Sequence, residues 1–109
     1  MKVEYAPEAK NDLRKLDRSI RMQVFKAIEK VSKNPVPYTE SGYGKPLGNK
    51  GNRNLKGLLK IKVSDVRVVY TLQKIKDVMY IIVITARADS EVYDIADRRK
   101  AKPTEVQCS

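Results

Sequence analysis

The sequence predicts an α+β fold: a small antiparallel β-sheet packed on two N-terminal helices, in the order β-α-α-β-β-β-α. Three observations carry that expectation. Apolar residues recur at helical spacing in the first 34 residues, three β-branched runs lie between Leu58 and Ala86, and a polar segment with its acids first follows Asp89. A length of 109 residues fits one compact unit with a modest core, expected over residues 1–102, with 103–109 as a mobile C-terminal tail.

Each element has a local reason. Lys2 to Tyr5 alternates polar and apolar side chains and reads as a short strand. Pro7 suits the first turn of a helix, Glu8 favours the positive end of its dipole, and Leu13 and Leu16 mark its course to near Asp17. Asp17 or Ser19 can cap a longer second helix, in which Ile20, Val24, Ala27, Ile28 and Val31 form the apolar stripe. Asn34-Pro35-Val36-Pro37 stops it, because neither proline can continue the hydrogen-bond ladder. A loop is expected from about Tyr38 to Lys56, with all five glycines in or beside it. They lack the GxxxxGK[ST] spacing of a phosphate cradle, so ordinary loop chemistry is the better reading.

The strands follow as Leu58 to Val63, Val66 to Leu72 and Val78 to Ala86. Ser64-Asp65 as a two-residue turn sets Val63 against Val66 and Lys62 against Arg67. Alternation then gathers Leu59, Ile61, Val63, Val66, Val68, Tyr70 and Leu72 on one face, which must meet the helices. The other face carries Lys60, Lys62, Arg67 and Val69. If Gln73 to Asp77 is the next loop, Leu72 pairs with Val78 and Arg87 emerges on the side of Lys62 and Arg67. Asp89 or Ser90 caps a last helix through about Ala101, with Arg98, Arg99 and Lys100 at its end and Pro103 beyond.

Composition narrows the chemistry. Hydrophobic residues make up 41% and charged residues 33%, the balance of a folded, charge-rich chain. No apolar run approaches the roughly 20 residues of a membrane span. Met1-Lys2-Val3-Glu4-Tyr5 runs straight into a strand pattern, so no signal peptide and a cytoplasmic location are expected. Cys108 is the one cysteine, which rules out an internal disulfide framework. Histidine is absent, and with it Ser-His hydrolases, Cys-His proteases, imidazole-ligated metals and the imidazole acid–base pair. Neither a metal nor a small-molecule cofactor is expected.

Net charge is +10, and a small domain this basic commonly meets a polyanion. Nine basic residues stand against Asp65 alone between Ser41 and Lys76, whereas the first 34 residues hold nine bases and five acids. Like charges opposed on a sheet destabilise it, and a visiting phosphate would turn that repulsion into charge-assisted hydrogen bonds. Long side chains that splay into solvent satisfy the same pattern, so residue types alone leave both readings open.

Several segments in order resemble the RelE/ParE toxin superfamily. They are Lys45-Pro46-Leu47-Gly48, Leu55-Lys56-Gly57-Leu58-Leu59-Lys60-Ile61-Lys62-Val63, Val66-Arg67-Val68-Val69-Tyr70 and Ala86-Arg87-Ala88-Asp89-Ser90-Glu91-Val92-Tyr93. The element order is similar over roughly residues 1 to 100. RelE-like members cut messenger RNA in the ribosomal A site, whereas ParE-like members poison DNA gyrase and lack the ribonuclease side chains. The resemblance to the RelE-like branch implies a catalytic set of Lys60, Lys62, Arg67, Arg87 and Tyr93. Lys45, Lys50, Arg53 and Lys56 join it as RNA- or ribosome-binding residues. One departure is a shorter turn between Lys62 and Arg67 than the type member has.

The implied partners are the ribosome with its messenger RNA and a cognate acidic antitoxin that wraps the toxin. The implied reaction is attack of a ribose 2′-hydroxyl on the adjacent phosphate with expulsion of a 5′-hydroxyl. It needs a base, charge stabilisation on the phosphorane and a donor at the leaving oxygen. Lys62, opposite Arg67, is the first choice for base or phosphate stabiliser, with Lys60 sharing the task. Arg67 would hold the phosphate, Arg87 would donate to the leaving oxygen and Tyr93 would stack on or orient a base. A gyrase-binding inhibitor and a plain basic nucleic-acid-binding module are the competing classes.

Overall fold

The computed structural model of the chain describes residues 2–37, 40–50, 53–73, 75–86 and 89–99. Its elements are β1 (Lys2–Tyr5), α1 (Pro7–Arg14), α2 (Arg18–Ser32), β2 (Lys45–Lys50), β3 (Arg53–Val63), β4 (Val66–Gln73), β5 (Val78–Thr85) and α3 (Asp89–Arg99). The five strands form one sheet in the order β1-β5-β4-β3-β2. β1 runs parallel to β5, and the other neighbours are antiparallel. The chain is therefore α+β as expected, with one strand more than the sequence reading allowed.

That extra strand corrects the loop expected between Tyr38 and Lys56. β2 occupies Lys45–Lys50, and β3 begins at Arg53 rather than Leu58. Lys-Pro-Leu-Gly-Asn-Lys reads poorly as a strand because Pro, Gly and Asn are all depleted in sheets. β2 lies at the sheet edge, where the missing proline N–H costs no ladder bond if it points outward. Its pairing with β3 slips between Pro46 and Gly48, and Gly48 and Gly57 take positive φ values of 62° and 84° on either side. α1 also stops at Arg14, short of Asp17. Asp17 stands at the N-cap of α2, though its side chain makes no capping bond.

The sheet separates two apolar layers. On one face Ala9 and Leu13 of α1 and Val24, Ile28 and Val31 of α2 pack on Leu59, Val66, Val68, Tyr70, Met79, Ile81 and Ile84. Ile61, Val63 and Leu72 lean on the same layer, which completes the set expected to meet the helices. On the other face Val92 and Ala96 of α3 cover Leu47, Leu55, Leu58, Val69, Ile82 and Val83. β5 is thus apolar on both sides, as a central strand enclosed between helices should be.

Register explains how β5 serves both layers. Ser64, at φ 55°, begins the two-residue turn, and Val63 faces Val66 while Lys62 faces Arg67, as expected. The expected Leu72–Val78 pair does not form. Gln73 extends β4 and pairs with Val78, and Leu72 pairs with Met79, because the connection shortens to residues 74–77 with Asp77 at φ 57°. Farther along, Val69 faces Val83 and Tyr70 faces Ile81, leaving Ile82 as an extra residue, a β-bulge. The bulge places Ile82 and Val83 together under α3 and returns Ile84 to the α1 layer.

Asp12 and Arg99 tie these layers together. Arg99 Nη1 lies 2.7 Å from Asp12 Oδ2 and also donates to the bulge carbonyl, Ile82 O, at 3.0 Å. Asp12 Oδ2 accepts from the Ile84 N–H at 3.1 Å, just past the last β1–β5 pair at Ile81. One carboxylate and one guanidinium thereby satisfy two backbone groups of β5 that the ladders leave over. No helix among the described residues is long and apolar enough to cross a membrane.

Candidate functional site

The cationic face is built by strand pairing. Lys60 stands between Lys45 on β2 and Val69 on β4, and Lys62 stands opposite Arg67, which in turn faces Thr85 on β5. Directly paired residues share a face, so Lys45, Lys60, Lys62, Arg67 and Thr85 all project from the α3 side. α3 covers only part of this face, through Val92 and Ala96 on Val69 and Val83. The open remainder is where the charges gather. Two like-charged pairs, Lys45–Lys60 and Lys62–Arg67, therefore lie side by side, each costing a few tenths of a kcal/mol or more.

Tyr93 closes the site from above. Lys60 Nζ donates to the Tyr93 hydroxyl at 3.0 Å and sits 5.3 Å from its ring centroid. The contact spans sheet and helix, and it exists because Val92, one residue earlier, is fully buried in the layer beneath. Arg67 is half-buried and its Nη1 reaches the Asp65 carbonyl of the turn at 3.4 Å, while Lys62 and Lys45 are exposed. The short turn between Lys62 and Arg67 holds the pair in register, so this departure from the type member leaves Arg67 on the cationic face.

Of the expected residues, the structure thus brings together Lys45, Lys60, Lys62, Arg67 and Tyr93. Arg87 lies outside the described residues, although Thr85, two positions earlier, comes out opposite Arg67. Lys50 and Arg53 pair at the far end of the β2–β3 hairpin, roughly 20 Å along the strands from Lys60. Their side chains, like residues 103–109, lie outside the described part. Lys56 is exposed beyond the Gly57 irregularity, on the distal stretch of β3. Sequence reasoning missed Thr85, whose hydroxyl-bearing side chain stands beside the arginine. The signal was available, because the alternation that brings Arg87 out beside Lys62 and Arg67 brings out Thr85 with it; the structure reaches the same face through a different pairing and a bulge.

The site has the parts for binding and polarising a phosphate: several ammonium groups, a guanidinium and an aromatic ring over one ammonium. It has no imidazole, and no group of three or more His, Cys, Asp or Glu that could hold a metal occurs among the described residues. A separate cleft of about 560 Å³ between α1, α3 and the end of β5 surrounds the Asp12–Arg99 pair and carries none of the expected site residues. Elsewhere, burial pushes the Tyr70 phenol above its ordinary range, and its hydroxyl donates to Pro35 O at 2.7 Å.

Comparison with known proteins gives the family and the fold relatives of the chain. Residues 3–91 match the family described as ParE toxin of type II toxin-antitoxin system, which defines the class of the protein: a toxin of such a system. Among solved structures, the RelBE2 toxin–antitoxin complex of Mycobacterium tuberculosis matches with 26% identity and a TM-score of 0.65, covering 81% of this chain and 92% of that one. The isolated Escherichia coli RelE toxin matches with 26% identity and a TM-score of 0.64, covering 90% and 96%. An archaeal RelE–RelB complex from Pyrococcus horikoshii shares the fold at 19% identity, with a TM-score of 0.60 over 81% and 96%. No curated protein matched the sequence. The chain belongs to the RelE/ParE toxin superfamily, and these structural relatives are RelE toxins.

Proposed function

We propose that residues 1–102 form a ribosome-dependent endoribonuclease that cleaves messenger RNA in the ribosomal A site, acts in the cytoplasm and is held in check by a cognate acidic antitoxin. The observation that carries this reading is the convergence of Lys60, Lys62, Arg67 and Tyr93 on one open face, with Lys60 bonded to Tyr93 at 3.0 Å. The similarity to RelE toxins, some solved with a RelB antitoxin, supports the partner assignment.

In this reading Arg67 holds the scissile phosphate, with Lys62 as base or phosphate stabiliser and Lys60 sharing the charge. Arg87 donates to the leaving oxygen. Tyr93 stacks on or orients a base, with its hydroxyl engaged by Lys60. Ammonium groups are weak acid–base catalysts at neutral pH, so the ribosome supplies orientation that the isolated chain lacks. Primer extension on free RNA and on programmed ribosomes tests this. Cleavage confined to the ribosome is expected, and equal cleavage of free RNA would refute the dependence.

A second reading rests on the family description, which names ParE: a gyrase inhibitor without nuclease activity. Label incorporation after induced expression separates the two. Early loss of protein synthesis supports the ribonuclease, while early loss of DNA synthesis with translation spared supports the gyrase inhibitor.

A further inference from the structure

β2 begins at Lys45, opposite Lys60, so β3 runs on through Ile61, Lys62 and Val63 with β4 as its strand partner on one side only among the described residues. The step in the sheet edge opens a concavity of about 440 Å³. Its walls are Ala27, Lys30 and Val31 of α2, then Tyr43 and Lys45, then Lys60 to Val63. Four of those residues are lysines and none is a carboxylate. Tyr43 is 51% exposed, and Lys30 Nζ lies 5.4 Å from its ring centroid.

This ring sits on a braced segment. Tyr43 N donates to Asn34 O at 3.2 Å, Gly44 N donates to Val36 O at 3.1 Å, and Asn34 Nδ2 donates to Ser41 O at 2.9 Å. Pro35, between those anchors, accepts the Tyr70 hydroxyl from the core. An exposed aromatic ring costs solvation, and a cation over it raises its value as a surface for a polar, flat partner. Single-stranded nucleic acid has that chemistry: each base offers a π-face and each linkage an anion.

We propose that Tyr43, Lys30 and Lys45 form a second nucleotide subsite, in which a base flanking the scissile step stacks on Tyr43 while its phosphate is held by the lysines. The proposal rests on the ribonuclease reading, because Lys60 and Lys62 belong to both the catalytic face and this concavity. A strand from a protein partner could also pair along β3 beyond Lys60, where no strand lies among the described residues. Charge and the exposed, cation-backed ring favour RNA, since an added strand gains its affinity from backbone bonds and has no use for Tyr43.

The test measures binding of uncleavable 2′-O-methyl RNA by the full chain, using oligonucleotides of three and of six nucleotides. Wild type should bind the longer one more tightly. Tyr43→Ala should erase most of that gain, about tenfold, while leaving the shorter one unaffected, and Tyr43→Phe should restore it. Lys30→Ala should act in the same direction and lower the salt dependence of binding. Thermal melting confirms that the variants fold. If wild type shows the length gain and Tyr43→Ala keeps it, the subsite is refuted and the ribonuclease reading stands. If wild type binds neither RNA, the subsite is refuted, and the ribonuclease reading is decided separately by cleavage on programmed ribosomes. Saturable binding of an acidic, apolar-alternating decapeptide that RNA fails to displace and Tyr43→Ala leaves intact would assign the edge to a protein strand and overturn the proposal.

Discussion

Replacing Asp12 by Ala tests whether one ion pair holds the two layers of the sheet in place. The carboxylate accepts from Arg99 Nη1 at 2.7 Å, from Arg99 Nη2 at 3.4 Å and from the Ile84 N–H at 3.1 Å. The side chains of Arg99 and Asp12 are 19% and 13% exposed, so water can replace only part of what is lost. Hydrogen bonds to charged groups contribute about 1.5–3 kcal/mol when buried, and residual access lowers the sum, so a loss of about 2–3 kcal/mol is expected. For a domain of this size that lowers Tm by roughly 10–20 °C. Asp12→Asn keeps an acceptor for Ile84 and should lose about half as much. A double-mutant cycle with Arg99→Ala, followed by circular dichroism, should give a coupling of at least about 1 kcal/mol. A Tm drop of less than about 3 °C and no coupling would show that the pair behaves like an exposed ion pair and that Val92 and Ala96 alone dock α3.

Other expectations follow from burial. Lys62→Ala and Arg67→Ala should abolish ribosomal cleavage and leave Tm unchanged or slightly raised, since each relieves a like-charged pair, whereas Val68→Ala, at 0% exposure, should cost roughly 1–3 kcal/mol; a cationic-face variant that stays folded and cleaves normally refutes the site. The unfolded chain releases the Tyr70 proton near pH 10 and the folded chain holds it higher, so stability is full below about pH 10 and falls above it. Tyr70→Phe should lose about 1 kcal/mol at pH 7 with its bond to Pro35, yet show a flatter alkaline decline in melts between pH 7 and 11. A Cβ at residue 44 would overlap the Tyr70 hydroxyl and reach within 2.6 Å of Leu59 Cδ2, so Gly44→Ala should lower Tm by several degrees and unsettle Tyr43; an unchanged Tm would mean that the segment shifts freely.

Much of this was legible because alternation is a strong signal where a strand has one dry and one wet face. Leu59 to Leu72 separated correctly into core and cationic sides, and Lys62 met Arg67, because a two-residue turn leaves little choice of register. β2 was hidden because an edge strand tolerates Pro46 and Gly48, residues that argue against a strand anywhere else. Resemblance put Lys60 and Tyr93 in one set, but their contact was not read from the sequence, since it depends on how α3 crosses the sheet 33 positions away. The Asp12–Arg99 tie was illegible for a related reason, since it joins residues 87 positions apart and reaches the carbonyl of the extra residue in β5.

The bulge at Ile82 also divides β5 into two segments that count in different phase. Continuing the Tyr70–Ile81 register without it would set Arg67 against Ile84 and turn that isoleucine out of the core. One inserted residue therefore acts as a frame shift written into the strand. Deleting Ile82 would leave Ile81 opposite Tyr70, Val83 opposite Val69 and Thr85 opposite Arg67 in an unbroken ladder, and would remove one apolar side chain from beneath α3.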